Sequence, residues 1–129
     1  MATPPIVENH AVRLPFYEMA VVESGSDPLA VGDRGRAIGL YQIHHKYWKD
    51  SGVPGSWEDC RDPAYSQRVI MSYWRRYCPS ALSKGDLEIL CRVHNGGPQG
   101  HNKRQTQKYW EKIQAVSLVT SLSQRDLRD

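Results

Sequence analysis

The sequence predicts a mainly α-helical domain with at most one small β-hairpin. Apolar residues recur at three- and four-residue spacing in stretches beginning at Leu14, Asp62, Leu87 and Thr106, the period of one helix face. Helix-starting and helix-ending residues flank these stretches. Ser26–Arg36 is instead rich in Gly, Asp, Pro and Arg, with turn signals and room for a small hairpin. The 129 residues fit one domain spanning 1–129, and a chain of this size can bury a core without covalent staples.

The elements follow in order. Residues 1–10 read as an irregular arm. Pro15 suits the first turn of a helix. Tyr17, Ala20, Val21 and Ser24 then give helical spacing over Leu14–Ser24, and Gly25 ends it. Asp27-Pro28 and Gly32-Asp33-Arg34-Gly35 mark turns, in an open loop or a small hairpin. Ile38–Trp48 is apolar and aromatic and reads as a short core helix. Gly52–Trp57 is a loop. Asp62 caps the clearest helix, with Pro63 in its first turn and Val69, Ile70, Tyr73, Trp74 and Tyr77 on its apolar face. Pro79 stops it. Ser83 and Asp86 form a capping pair ahead of Leu87, Leu90 and Val93. Gly96-Gly97-Pro98 closes that helix. Thr106 caps the next, with Tyr109, Trp110, Ile113 and Val116 inward, and residues 117–129 read as a second irregular arm.

Composition excludes several classes. The net charge of +3 is mild, and Lys103-Arg104 is no more than a basic pair, so a nucleic-acid partner is not expected. No apolar run reaches membrane-spanning length. The opening Met1-Ala2-Thr3-Pro4-Pro5 lacks the basic and apolar segments of a secretory leader. Cys60, Cys78 and Cys91 are an odd count, open to one bridge plus a thiol or to three thiols. No Cys-x-x-Cys or His/Cys spacing suggests a metal. A monomer without cofactor or metal is expected.

Glu23 is the most informative residue. It closes the apolar run Ala20-Val21-Val22, and apolar surroundings favour a protonated carboxyl. A proton donor of that kind is what glycosidic cleavage requires. Gly39-Leu40-Tyr41-Gln42-Ile43 and His94-Asn95-Gly96-Gly97-Pro98 supply polar and close-packing residues for the same cleft. Taken alone, a glutamate at a helix end is an ordinary solvated residue; the order of the three segments gives it weight.

That order resembles the lysozyme superfamily. Glu23-Ser24-Gly25-x-Asp27-Pro28-x-Ala30-Val31 is similar to the soluble lytic transglycosylases. Tyr41-Gln42-Ile43, Tyr47-Trp48-x-Asp50, Trp57-x-x-Cys60, Tyr73-x-x-Arg76-Tyr77, His94-Asn95-Gly96-Gly97-Pro98-x-Gly100 and Tyr109-Trp110 resemble invertebrate-type (destabilase) lysozymes. The likeness covers residues 17–113 and implies a two-lobed helical domain whose cleft takes peptidoglycan glycan strands outside the cytoplasm. It implies Glu23 as catalytic acid and Asp33, ten residues on across a short gap, as second carboxylate. Asp27, before Pro28, reads as a loop brace. Ser24, Tyr41, Gln42, His94, Asn95, Gly96 and Tyr109 are the expected substrate-binding or supporting residues, and Trp57 is the tryptophan expected to stack on a sugar. Invertebrate-type lysozymes are rich in disulfides, so three cysteines depart from the pattern. The implied reaction is hydrolysis of the β-1,4 bond between N-acetylmuramic acid and N-acetylglucosamine. The alternatives are a lytic transglycosylase, which lacks the second carboxylate and forms 1,6-anhydro ends, and a non-catalytic glycan-binding module.

Overall fold

The computed structural model of the chain describes residues 13–128; the arm expected at 1–10 lies outside them. Among the described residues there are six α-helices and one three-stranded antiparallel sheet. Helix α1 (Phe16–Ser24) ends at Gly25, whose φ of +66° lets its amide reach the Val21 carbonyl while the Ser26 amide reaches Ala20.

The hairpin is β1 (Val31–Gly32) with β2 (Ala37–Ile38), joined by a 3₁₀ turn at Asp33–Gly35. A third strand, β3 (Ile43–His44), pairs Ala37 with His44 and Ile38 with Ile43. The helix expected over Ile38–Trp48 is therefore corrected: two strands and a tight turn precede α2 (His45–Ser51). Gly39 decides this, with φ +83° and a backbone so close to Cys60 that a Cβ would lie 2.3 Å from its carbonyl oxygen. A short apolar run does not by itself distinguish the two conformations.

A 3₁₀ segment at Trp57–Arg61 leads into α3 (Pro63–Tyr77), where Asp62 Oδ2 accepts the Tyr65 amide at 2.8 Å. Pro79 both ends α3 and starts α4 (Pro79–Lys84), because a proline without an N–H fits a first turn. Asp86 caps α5 (Leu87–Gly96) through the Ile89 amide, whereas Ser83 lies inside α4. After a 3₁₀ turn at Gly100–Asn102, α6 runs from Gln105 to Arg128. Two expectations change here. Thr106 lies inside the helix rather than capping it, and the arm expected from 117 continues α6, with Leu118 and Val119 more than half exposed.

The core gathers Met19, Ile38, Ile43, Val69, Ile70, Leu90 and Val93 around Trp74. The Trp74 indole N–H donates to the Leu90 carbonyl at 2.9 Å, tying α3 to α5. Cys60, Cys78 and Cys91 are all buried and unpaired. Among the described residues no helix is long and apolar enough to cross a membrane.

Candidate active site

A groove of about 230 Å³ opens where the last turn of α1, the small sheet and the end of α5 meet. Glu23, Asp33, Gln42, His44, His94 and Asn95 all line it. Glu23 follows the buried Met19 and Ala20 by four and three residues, so helix geometry turns it inward on their face. Val21 and Val22, its neighbours in sequence, do not share that face. The Glu23 side chain is 16% exposed and its Oε2 lies 3.3 Å from Nε2 of His94, which is 3% exposed.

The hydrogen bonds of His94 define its tautomer. Nε2 lies 3.1 Å from the Tyr41 carbonyl, which can only accept. Nε2 therefore carries the proton, and in the neutral ring Nδ1 accepts from the Tyr47 hydroxyl at 2.9 Å. Tyr47 is held in turn by stacking on Tyr73, with ring centroids 3.8 Å apart. Burial, then the nearby Tyr73, pushes the Tyr47 phenol well above its ordinary pKa, so it stays a donor. Tyr109 places its buried hydroxyl without a hydrogen-bond partner among the described residues. Burial and then the Glu23 charge push its pKa up as well.

Asp33 reaches the groove from the 3₁₀ turn. Its Oδ2 lies 2.8 Å from His44 Nε2 and its Oδ1 3.3 Å from Arg36 Nη2. The His44 bond, followed by the Arg36 charge, holds its carboxyl below the usual 3.8. Asp33 is thus an ionised carboxylate, half open to solvent.

The other expected residues divide. Asn95 is exposed in the groove. Gln42 lines it too, but its amide N–H₂ donates to Gly39 at 3.0 Å and Ala30 at 3.3 Å. Ser24 donates to the Leu40 carbonyl and accepts the Asp27 amide, so it braces the following loop. Asp27 accepts the Leu29 amide in the same loop. Tyr41 contributes its carbonyl to His94, while its buried ring turns to the core and its hydroxyl accepts from Gln67. Gly96 packs on α6, where a Cβ would meet Thr106 Cγ2 at 2.5 Å. Trp57, expected to stack on a sugar, is not among the residues lining this groove: its indole N–H donates to the Ile43 carbonyl at 2.9 Å, and it packs against the core. Sequence reasoning missed His44, Arg36 and Tyr47 as site residues. Tyr47 stands in a quoted motif, but nothing in the sequence pairs His44 with a residue eleven positions earlier.

Among the described residues, the two most voluminous hollows lie elsewhere. One, between α1 and α6, holds the Arg13–Glu18 pair, and the other, beside α3, has no carboxylate among its described lining residues. Neither brings two acids and a histidine together as the small groove does.

The destabilase family model matches residues 17–116. Lysozyme 1 of Crassostrea virginica is 36% identical over 98 residues, covering 73% of this chain and 53% of that protein. Invertebrate-type lysozyme 6 of Caenorhabditis elegans is 34% identical over 109 residues, covering 73% and 78%. The chain thus spans about half the length of the oyster protein and most of the nematode one. Among solved structures, the Tapes japonica lysozyme superimposes with a TM-score of 0.68 at 33% identity, covering 78% of this chain and 85% of that one. The Meretrix lusoria lysozyme, solved in complex with Aeromonas hydrophila PliI, gives 0.68 at 32% identity over 80% and 88%. Sequence and fold agree, and the chain belongs to the destabilase family, among the invertebrate-type lysozymes.

Proposed function

We propose that the chain is a peptidoglycan hydrolase that cleaves the β-1,4 bond between N-acetylmuramic acid and N-acetylglucosamine. The carrying observation is one groove lined by a largely buried glutamate and an ionised aspartate. Two carboxyl groups in different environments are the requirement of most glycoside hydrolysis. Relatives named lysozyme support the same reading.

Glu23 delivers the proton to the glycosidic oxygen as the bond breaks. His94 Nε2, whose N–H donates to the Tyr41 carbonyl, lies 3.3 Å from Glu23 Oε2 and walls that side of the carboxyl. Asp33, already ionised, faces the positive charge that develops on the sugar ring, as nucleophile or through a water. Asn95 and the edge of Gln42 offer hydrogen bonds to the glycan. The substrate is an extracytoplasmic polymer, so action outside the cytoplasm belongs to the same proposal.

Digestion of purified sacculi, followed by mass analysis of the products, tests it. Wild type should release fragments with reducing ends, and Glu23→Gln should lose about 10²–10⁴-fold in rate. Predominantly 1,6-anhydro ends would establish transglycosylation instead. Binding to sacculi without clearing would leave a glycan-binding module.

A further inference from the structure

We propose that His44 is a positioning residue that, with Arg36, holds the Asp33 carboxylate in its working orientation. The proposal rests on Asp33 being the second carboxylate. The register of the sheet carries it first. Gly32 pairs with Ala37, and Ala37 pairs with His44. One row across the three strands therefore brings His44 to the residue that follows Gly32. The third strand has this consequence for the site: it is the element that carries His44 to Asp33.

Each Asp33 oxygen has its own donor. His44 Nε2 engages Oδ2 at 2.8 Å and Arg36 Nη2 engages Oδ1 at 3.3 Å. Arg36 Nε also donates to the Asp33 backbone carbonyl at 3.1 Å, so the guanidinium clamps main chain and side chain together. Two donors on opposite oxygens stop the carboxylate from rotating.

Backbone conformation supplies a second observation. Among the described residues, the non-glycine residues with positive φ are Ser26, Asp33, Arg34 and Gln42. Asp33 and Gln42 both line the groove. A left-handed aspartate followed by a left-handed arginine costs conformational energy, and such strain persists where surrounding contacts over-determine it. The β1–β2 pairing on either side of the turn and the Arg36 amide bond to the Asp33 carbonyl are those contacts. His44, Arg36 and Asp33 are each about half or more exposed, and ion pairs so open to water add little to stability. Orientation of the carboxylate, rather than folding, is what the pair provides.

The charged and titratable groups facing His44 are Asp33 and Arg36 from the turn, Glu23 from α1, Tyr47 from α2 and His94 from α5. Among the described residues, only Asp33 bonds its ring. Because the His44 bond is the largest influence lowering the Asp33 pKa, its loss moves that pKa up.

The test compares wild type, His44→Ala, His44→Gln and Asp33→Asn on soluble peptidoglycan, with kcat and KM measured across pH and thermal melts in parallel. His44→Ala should lower kcat about 10–100-fold, the scale of a misplaced catalytic group, with KM near wild type. The acid limb of its kcat profile should move to higher pH. His44→Gln keeps an N–H donor and should recover most of kcat. If Asp33→Asn is inactive while His44→Ala keeps wild-type kcat and acid limb, the positioning role is refuted. A kcat loss that tracks a lowered melting temperature, with the limb unmoved, also refutes it. Full activity of Asp33→Asn would overturn the second-carboxylate reading itself.

Discussion

Thr106→Val replaces one hydroxyl by a methyl of nearly equal volume, and the structure sets the size of its effect. Thr106 is 1% exposed. Its Oγ1 accepts from Arg92 Nε at 2.9 Å and donates to the Gly100 carbonyl at 2.6 Å. Arg92 also bonds Glu88 and the Lys103 carbonyl. These bonds join α5, the Gly100–Asn102 turn and α6 behind the helix end that carries His94 and Asn95. Losing a hydrogen bond to a charged group costs about 1.5–3 kcal/mol, and losing a neutral one about 0.5–1.5 kcal/mol. The guanidinium keeps its other two partners, so the total should be about 2–4 kcal/mol. At about 4 °C per kcal/mol for a domain of this size, Tm should fall by roughly 8–16 °C. Urea unfolding followed by circular dichroism reads the change, with Arg92→Met and the double variant closing a cycle. Thr106 and Arg92 should be coupled by about 0.5–3 kcal/mol. A change below about 0.5 kcal/mol, the range of an ordinary surface substitution, would refute the bridging role.

Gly96→Ala should destabilise by about 1–3 kcal/mol through overpacking against Thr106, with KM unchanged; a raised KM at normal stability would instead place glycan on Gly96. Native protein should leave all three thiols unmodified by a thiol reagent at mildly alkaline pH, since burial pushes Cys60 up to about 12, Cys78 up to about 11 and Cys91 higher still. All three should react once urea unfolds the chain, and fewer would reveal a disulfide. The Asp33 carboxyl is lowered on folding from 3.8. Its stabilising share is therefore present above that value and fades as pH falls through the lower folded value. The Tm difference between wild type and Asp33→Asn should shrink toward zero in that acid window, and a difference that grows there would contradict the assigned sign.

Periodicity and caps were legible where an element is governed by its own residues. Asp62-Pro63 opens α3, Gly25 closes α1 and Asp86 caps α5, because these signals act within a turn of the helix. The Ile38–Trp48 segment is ambiguous in sequence because an apolar run is compatible with either strand or helix, and contact with Cys60 decides between them. The end of α6 is not legible for the opposite reason: a helix can continue into solvent with its apolar residues exposed.

Residue order alone determined a mainly helical domain, the placing of Glu23 at a helix end, and the family. Tertiary structure decided what surrounds Glu23: His94, more than seventy positions away in sequence, rather than the adjoining valines, because side chains at i and i+1 face different sides of a helix. It also decided that Asp33 is clamped by His44 and Arg36, that Tyr41 offers a carbonyl instead of a ring, and that Trp57 braces the fold. Those assignments depend on strand register and on which helix faces meet, and both are settled only when distant segments pack.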